Sequence, residues 1–190
     1  MEKVKTNNRS VRHTKSRIKE GFLSLLNQKP VQEVSVKELT DFIDLNRGTF
    51  YTHYSDIYDL LDEMKTEMFE EMEKILSSSY TSSEGYTEAI FAYLGENADF
   101  TKILLGEHGD MAFVSQLKKS ISSHLSYFWS KLNKDLDDLD YDILNTYIIN
   151  GFIGIIEIYL NNPDSEISKH IVHYADKLTT DTINNFINSH

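Results

Sequence analysis

A chain of 190 residues with 40% hydrophobic and 26% charged side chains, but only 8 Gly and 2 Pro, can bury a sizeable core and is too poor in breakers to be disordered or collagen-like. The absence of Cys excludes a disulfide framework and thiolate metal sites and fits a reducing compartment. The net charge of −11 is uneven: residues 1–55 hold 10 Lys and Arg against 6 Asp and Glu, and residues 56–190 hold 9 against 24, which predicts a basic head for a polyanion and an acidic body.

The first stretch, "MEKVKTNNRSVRHTKSR", has no apolar core, so no signal peptide is expected and the protein reads as cytoplasmic. Lys5, Arg9, Arg12, Lys15 and Arg17 predict a flexible basic arm and first helical turn that follow a nucleic-acid backbone or enter a minor groove. Ile18, Phe22, Leu25 and Leu26 recur at i, i+4, i+7 and i+8, one face of a helix from Arg12 to Asn27, ended by Pro30. Ser35 and Glu38 form a capping box that opens a short helix over Val36–Phe42. Asp44 can take the turn conformation that Gly would otherwise supply, and Asn46 is an N-cap for a second short helix through about His53.

Two short helices joined by a tight turn on a basic segment form a helix-turn-helix, whose second helix enters the DNA major groove. Here that helix carries "NRGTFYTHY". The spacing of Thr49, Tyr51, His53 and Tyr54, with "DLL" at 59–61 in register, resembles the TetR family of transcriptional regulators over about residues 12–61. In that helix Arg47 can reach a guanine edge or a phosphate, and Gly48 lets the backbone come close. Thr49, Tyr51 and His53 can donate to phosphate oxygens; Ser35, Asn46, Arg12 and Lys15 complete the DNA-facing set, while Phe50 and Tyr54 are assigned to the core. The chain departs from the family in its turn, Ile43-Asp44 where Ala-Gly is usual, and in Ile57, where a phosphate-binding Lys often opens the next helix. The resemblance implies an all-α regulator with a three-helix head at 1–55 and a helical ligand and dimerisation body at 56–190, linked by a helix from about 56 to 78. It further implies a homodimer on a palindromic double-stranded operator, acting as a repressor and modulated by a small-molecule effector. A helical module that binds a protein through the same surface is the alternative from another class.

A long helix is expected from about Asp56, with Ile57, Leu60, Leu61, Met64, Met68, Met72 and Ile75 inward, stopping in the linker-like tract "SSSYTSSEG" at 77–85. Further helices read at about 84–95, 99–105, 110–134, 139–161 and 165–188, and no segment alternates like a strand. Aromatic and apolar residues gather on these helices, and Phe91, Phe100, Leu104, Phe113, Leu117, Trp129, Tyr147 and Phe152 are the candidate lining of an effector pocket. The run "YIINGFIGIIEIYL" at 147–160 is apolar nearly all round but shorter than the roughly 20 residues that cross a bilayer, so it reads as a buried helix, not a membrane span. Gly151, Gly154 and Ile155 on it, with Ile171, Leu178 and Phe186 on the last helix, are expected to form a two-fold four-helix interface.

The segment "GEHGD" at 106–110 sets His108 beside Glu107 and Asp110, a loose metal-like grouping, but a helix cap is the expected role of Asp110. "LLGEHGDMAF" also resembles a segment in the ligand domain of a TetR subgroup similar to regulators of dihydroxyacetone kinase operons. The acidic run "DLDDLDYD" at 135–142 lacks the Gly and terminal Glu of a calcium loop and reads as a solvated helix start. With no HExxH, GxSxG or GxxxxGK[ST] pattern, neither an enzyme nor a metal or cofactor is expected.

Overall fold

In a computed structural model, described over residues 2–78, 83–106, 109–130, 137–162 and 165–188, the protein is all-α. The described residues form nine α-helices, a short 3-10 turn at Val31–Glu33 and no strand. They are α1 (Glu2–Leu26), α2 (Val36–Phe42), α3 (Arg47–Tyr51), α4 (Ile57–Ser77), α5 (Ser83–Glu96), α6 (Ala98–Leu105), α7 (Met111–Ser130), α8 (Asp138–Leu160) and α9 (Ser165–Asn188). The chain divides into two compact units, Met1–Met68 and Phe69–His190, and the division falls within α4.

In the first unit the predicted apolar face of α1 is the buried one: Ile18, Phe22, Leu25 and Leu26 join Leu39, Phe50 and Tyr54 in a single core. The arm expected to be flexible is instead helical backbone from Glu2 onward. Ser35 caps α2, its Oγ accepting from Glu38 N at 3.2 Å, but the Glu38 carboxylate receives Lys29 Nζ at 2.6 Å. Helix α2 ends in a Schellman motif: Leu45 N donates to Thr40 O at 2.9 Å and Asp44 N to Asp41 O at 3.4 Å, with Asp44 left-handed at φ 47°. Aspartate tolerates that region because its short polar side chain can bond locally.

The bulky Ile43 of this turn fits because α1 has no side chain opposite it. A Cβ on the buried Gly21 would run into Ile43 Cγ2 and sit 3.3 Å from Leu39 Cδ1. Arg17 Nη2 then donates to Ile43 O at 2.5 Å, tying the turn to α1. Gly21→Ala is therefore expected to destabilise the protein by about 1–3 kcal/mol despite the better helix propensity of Ala. In combination with Ile43→Ala much of that loss should return, leaving a coupling of at least about 1 kcal/mol in a urea-unfolding cycle. Additive effects would show that the two positions do not share space.

In the second unit Ile90, Phe91, Leu94, Phe100, Leu104, Phe113 and Leu117 are buried together with Ile149 and Ile156 of α8, while Leu144 and Ile148 of α8 form a cluster covered by Tyr141, Ile183 and Phe186. On α4, Met72 and Leu76 are buried and Ile75 half-buried, so the inner row ends one residue later than the expected Ile75. The α6–α7 turn explains "GEHGD". A Cβ on Gly106 would stand 2.5 Å from Lys102 O, and one on Gly109 would strike Leu104 O, so both backbones approach too closely for a side chain. Asp110 Oδ1 accepts from Ala112 N and Phe113 N, each at 3.0 Å, and caps α7 as expected; Glu107 and His108 lie outside the described residues. The acidic run likewise starts a helix, with Asp137 accepting from Asp140 N at 2.9 Å.

Candidate nucleic-acid interface

Helix α3 is short, and its position depends on its two ends. Asn46 Oδ1 accepts from Gly48 N at 2.7 Å and closes the N-terminal turn. On the inner side Phe50 and Tyr54 are buried, their rings 5.6 Å apart, and anchor the helix to the unit. On the outer side Arg47, Gly48 and Tyr51 are exposed; Thr49 and His53 are half-buried at its margin. A Cβ on Gly48 would meet only Asn46 Oδ1, at 3.0 Å. The caps Ser35 and Asn46 are exposed and keep donor capacity after capping, a hydroxyl proton and a side-chain amide. The outer face thus presents a guanidinium, a phenol, amide and hydroxyl donors and a bare stretch of backbone: the chemistry that grips phosphates and reads base edges.

Arg12 is exposed on α1. Lys15, expected beside it on the DNA side, is held within the unit: its ammonium pairs with Glu63 Oε2 at 2.5 Å and lies 5.1 Å from the centre of the Tyr54 ring. Glu63 also receives Tyr54 Oη at 2.7 Å and Lys19 Nζ at 2.8 Å, and Lys19 extends to Glu67 at 2.6 Å. Sequence reading missed this network, although two lysines four apart on α1 and two glutamates four apart on α4 are the pattern that two facing helices would use. Burial pushes the Glu63 carboxyl up, but hydrogen bonds from Lys15, Lys19 and Tyr54 outweigh it and hold it at about 2. Burial, then the bond to Glu63, raises the Tyr54 hydroxyl far above its ordinary value.

This network gives a pH signature with a definite sign. The folded carboxyl is held below its ordinary 4.5, so its contribution is complete above about pH 4.5 and is lost as pH falls toward 2. With Glu63 29% exposed, the discounted contribution is roughly 1–2 kcal/mol. Glu63→Gln is expected to lower the urea midpoint at pH 7 and to flatten the wild-type loss of stability between pH 4.5 and 3. Identical acid profiles for the two proteins would remove Glu63 from the account.

The start of α4 is capped by its own acids: Asp56 Oδ1 accepts from Tyr58 N at 2.8 Å and Asp59 N at 2.9 Å, and Asp59 Oδ2 accepts from Ser55 N at 2.8 Å. With Ile57 buried, this helix end offers no cation.

The other expected sites separate on inspection. Of the candidate pocket residues, Phe91, Phe100, Leu104, Phe113 and Leu117 are buried, and Phe152 is half-buried with its ring 5.2 Å from that of Phe91. Tyr147, in contrast, is 68% exposed on the outer face of α8 and lines an open surface depression with Asp142, Ile143 and Thr146. The side chain of Trp129 is outside the described residues. The run around Tyr147 is apolar on all sides, so periodicity could not say which side faced inward.

Along that outer face of α8, Ile143, Tyr147 and Ile158 are exposed, and a Cβ on Gly151 or Gly154 would meet nothing within 4 Å. By length and composition α8 could cross a membrane; its other face is packed inside the unit. On α9, Ile167, Tyr174 and Leu178 are exposed and Ile171 half-buried, as Ile155 is on α8. Phe186, expected on the same interface, packs with Ile183 against Leu144 and Ile148 inside the unit, because eight residues beyond Leu178 the helix has turned by about 80°.

Comparison with known proteins falls in line with this geometry. Residues 81–181 match the family model described as a transcriptional regulator C-terminal region, TetR_C_8. An uncharacterized HTH-type transcriptional regulator of Bacillus subtilis (strain 168), YxbF, is 26% identical over 66 residues, a match spanning 35% of this chain and 17% of that protein. Among solved structures, a TetR transcriptional regulator from Streptococcus agalactiae 2603V is similar with a TM-score of 0.64 and 20% identity, over 93% of this chain and 98% of that one. The dihydroxyacetone kinase operon activator DhaS is similar with a TM-score of 0.56 and 17% identity, over 93% and 95%. At these identities the structural likeness is one of fold.

Proposed function

Because this chain belongs to the TetR family of transcriptional regulators, we propose that it binds a palindromic double-stranded DNA operator as a cytoplasmic homodimer and represses transcription by occupying that site. In this reading residues 1–55 are the DNA-binding head and residues 56–190 the regulatory and dimerisation body. The observation that carries it is α3, which is anchored by Phe50 and Tyr54 and turns Arg47, Gly48 and Tyr51 to solvent. Arg47 reads a base edge; Ser35, Asn46, Thr49, Tyr51, His53 and Arg12 hold the phosphates that set the register. Two copies pair through the outer faces of α8 and α9, which carry exposed apolar residues where a lone protomer gains nothing from them. A small apolar effector enters beside Phe91, Phe113 and Phe152 and shifts the balance between binding-competent and incompetent states, so operator and effector affinities are coupled reciprocally.

The test is an anisotropy titration of the protein onto a duplex enriched by in vitro selection, repeated over a range of salt. Binding that falls steeply with salt and exceeds that to random duplex supports the reading. Salt-insensitive or absent duplex binding would instead fit a protein-binding helical module.

A further inference from the structure

We propose that Glu63 is a positioning residue for sequence reading: its carboxylate, held by two lysines of α1, fixes the Tyr54 hydroxyl and with it the angle at which α3 presents Arg47. The inference rests on the reading of α3 as the DNA-recognition helix and adds to it a residue that acts on DNA only through another side chain. Helix α3 spans Arg47–Tyr51, about a turn and a half, which is too short to hold a direction of its own. Its seat comes from its neighbours. Before it, Arg17 Nη2 ties the turn to α1 through Ile43 O at 2.5 Å. Beneath it, Phe50 is fully buried and Tyr54 nearly so, and Tyr54 N donates to Phe50 O at 3.0 Å. Apolar burial is non-directional, so the two rings keep the helix on the core without choosing its tilt.

The Tyr54 hydroxyl supplies the missing direction. It donates to Glu63 Oε1 at 2.7 Å, a charge-assisted bond from just beyond the end of α3 to an early turn of α4. Glu63 is itself held, because Lys15 Nζ pairs with its Oε2 at 2.5 Å and Lys19 Nζ with its Oε1 at 2.8 Å, and Lys19 also meets Glu67 at 2.6 Å. Two ammoniums and two carboxylates leave the cluster neutral. Lys15 Nζ further stands 5.1 Å from the centre of the Tyr54 ring, so one cation grips both partners of the bond. All of these groups lie in the same compact unit as α3. Reading a base edge requires donors held to about 0.5 Å and 10–20°, whereas the phosphates of any sequence accept a shifted cation. Loss of the bond therefore costs reading more than grip.

The test begins with Tyr54→Phe, which removes the hydroxyl, keeps the ring and leaves the lysine pairs of Glu63 in place. It is titrated beside the wild type onto the selected operator duplex and a random duplex, at a temperature where circular dichroism shows both proteins fully folded. The ratio of operator to random affinity should fall roughly tenfold, part of the discrimination of a bidentate base contact, with random affinity within about twofold of wild type. Ile18→Val, which trims a fully buried side chain of the same unit and spares the bond, is the control for lost stability and should keep the wild-type ratio. Glu63→Met frees two lysines and raises random affinity, so the effect of Tyr54→Phe is measured again within that background; there it should change the ratio by less than about twofold, because the partner is already gone. A Tyr54→Phe ratio equal to that of the wild type overturns the proposal and leaves α3 as the reading helix. An equal fall in Ile18→Val, or a full tenfold effect of Tyr54→Phe without Glu63, overturns it as well. A wild type with no preference for the operator overturns both this inference and the reading of α3.

Discussion

Gly154→Asp is expected to convert the protein into a 22.0 kDa monomer at micromolar concentration while leaving the folded protomer intact. Within one protomer a side chain at 154 has open space, and Asp and Gly differ little as residues of a helix interior. In the proposed dimer the same carboxylate sits between two apolar helix faces, where an unpaired buried charge costs about 3–5 kcal/mol. The two-fold axis doubles the effect, so the dimer Kd rises by roughly 10⁴-fold or more. Sedimentation velocity reads the mass and circular dichroism confirms the fold; Gly154→Ala, which adds no charge, keeps the dimer mass. A Gly154→Asp protein that sediments like the wild type would place the dimer contact elsewhere. Operator affinity should fall with the dimer, because two heads linked in one particle bind the second half-site at a high effective concentration that separate monomers lack.

Arg47→Ala is the second large effect, expected on specificity more than on stability. The side chain is exposed at the first position of α3, so its loss should leave the thermal midpoint within about 1 °C. A bidentate contact to a guanine edge accounts for about 1–3 kcal/mol of discrimination, so the ratio of operator to random affinity should drop by about 5- to 150-fold. Thr49→Ala, Tyr51→Phe and His53→Ala should weaken both duplexes alike, because phosphate contacts carry no sequence information. If Arg47→Ala lowers the two affinities equally, Arg47 is a phosphate ligand and the reading residue lies elsewhere on α3.

What could be read from the sequence followed from local chemistry. Ser35, Asp44, Asn46 and Asp110 announce helix ends through their side chains, and the structure uses all four as such. The apolar row of α1 was legible because the opposite face is polar and a single stripe leaves no choice of orientation. Legibility failed where that asymmetry vanishes. On α8 apolar residues fall nearly all round the helix, so Tyr147 could not be assigned to the surface and Leu144 to the core. On α9 the stripe drifts round the helix, and Phe186 is half-buried against Leu144 and Ile148 while Leu178 is exposed. Lys15 shows the complementary limit: a basic residue near a DNA-binding motif suggests phosphate, and only the approach of α4 shows that Glu63 takes its charge.

The fit of Ile43 into the space above Gly21 also orders the routes by which this turn can change. A lineage that acquires alanine at position 21 first passes through an intermediate in which two side chains claim one volume, and overpacking of that kind is relieved only by moving backbone. The reverse order begins with Ile43→Ala, which trims a half-buried side chain at the margin of the core and leaves a void that alanine at 21 can then fill. Single-substitution scans should therefore record position 21 as closed and position 43 as open, although position 21 opens once 43 has changed. The pair forms a one-way gate in sequence space, and among descendants of this chain an alanine at 21 should occur with a small residue at 43.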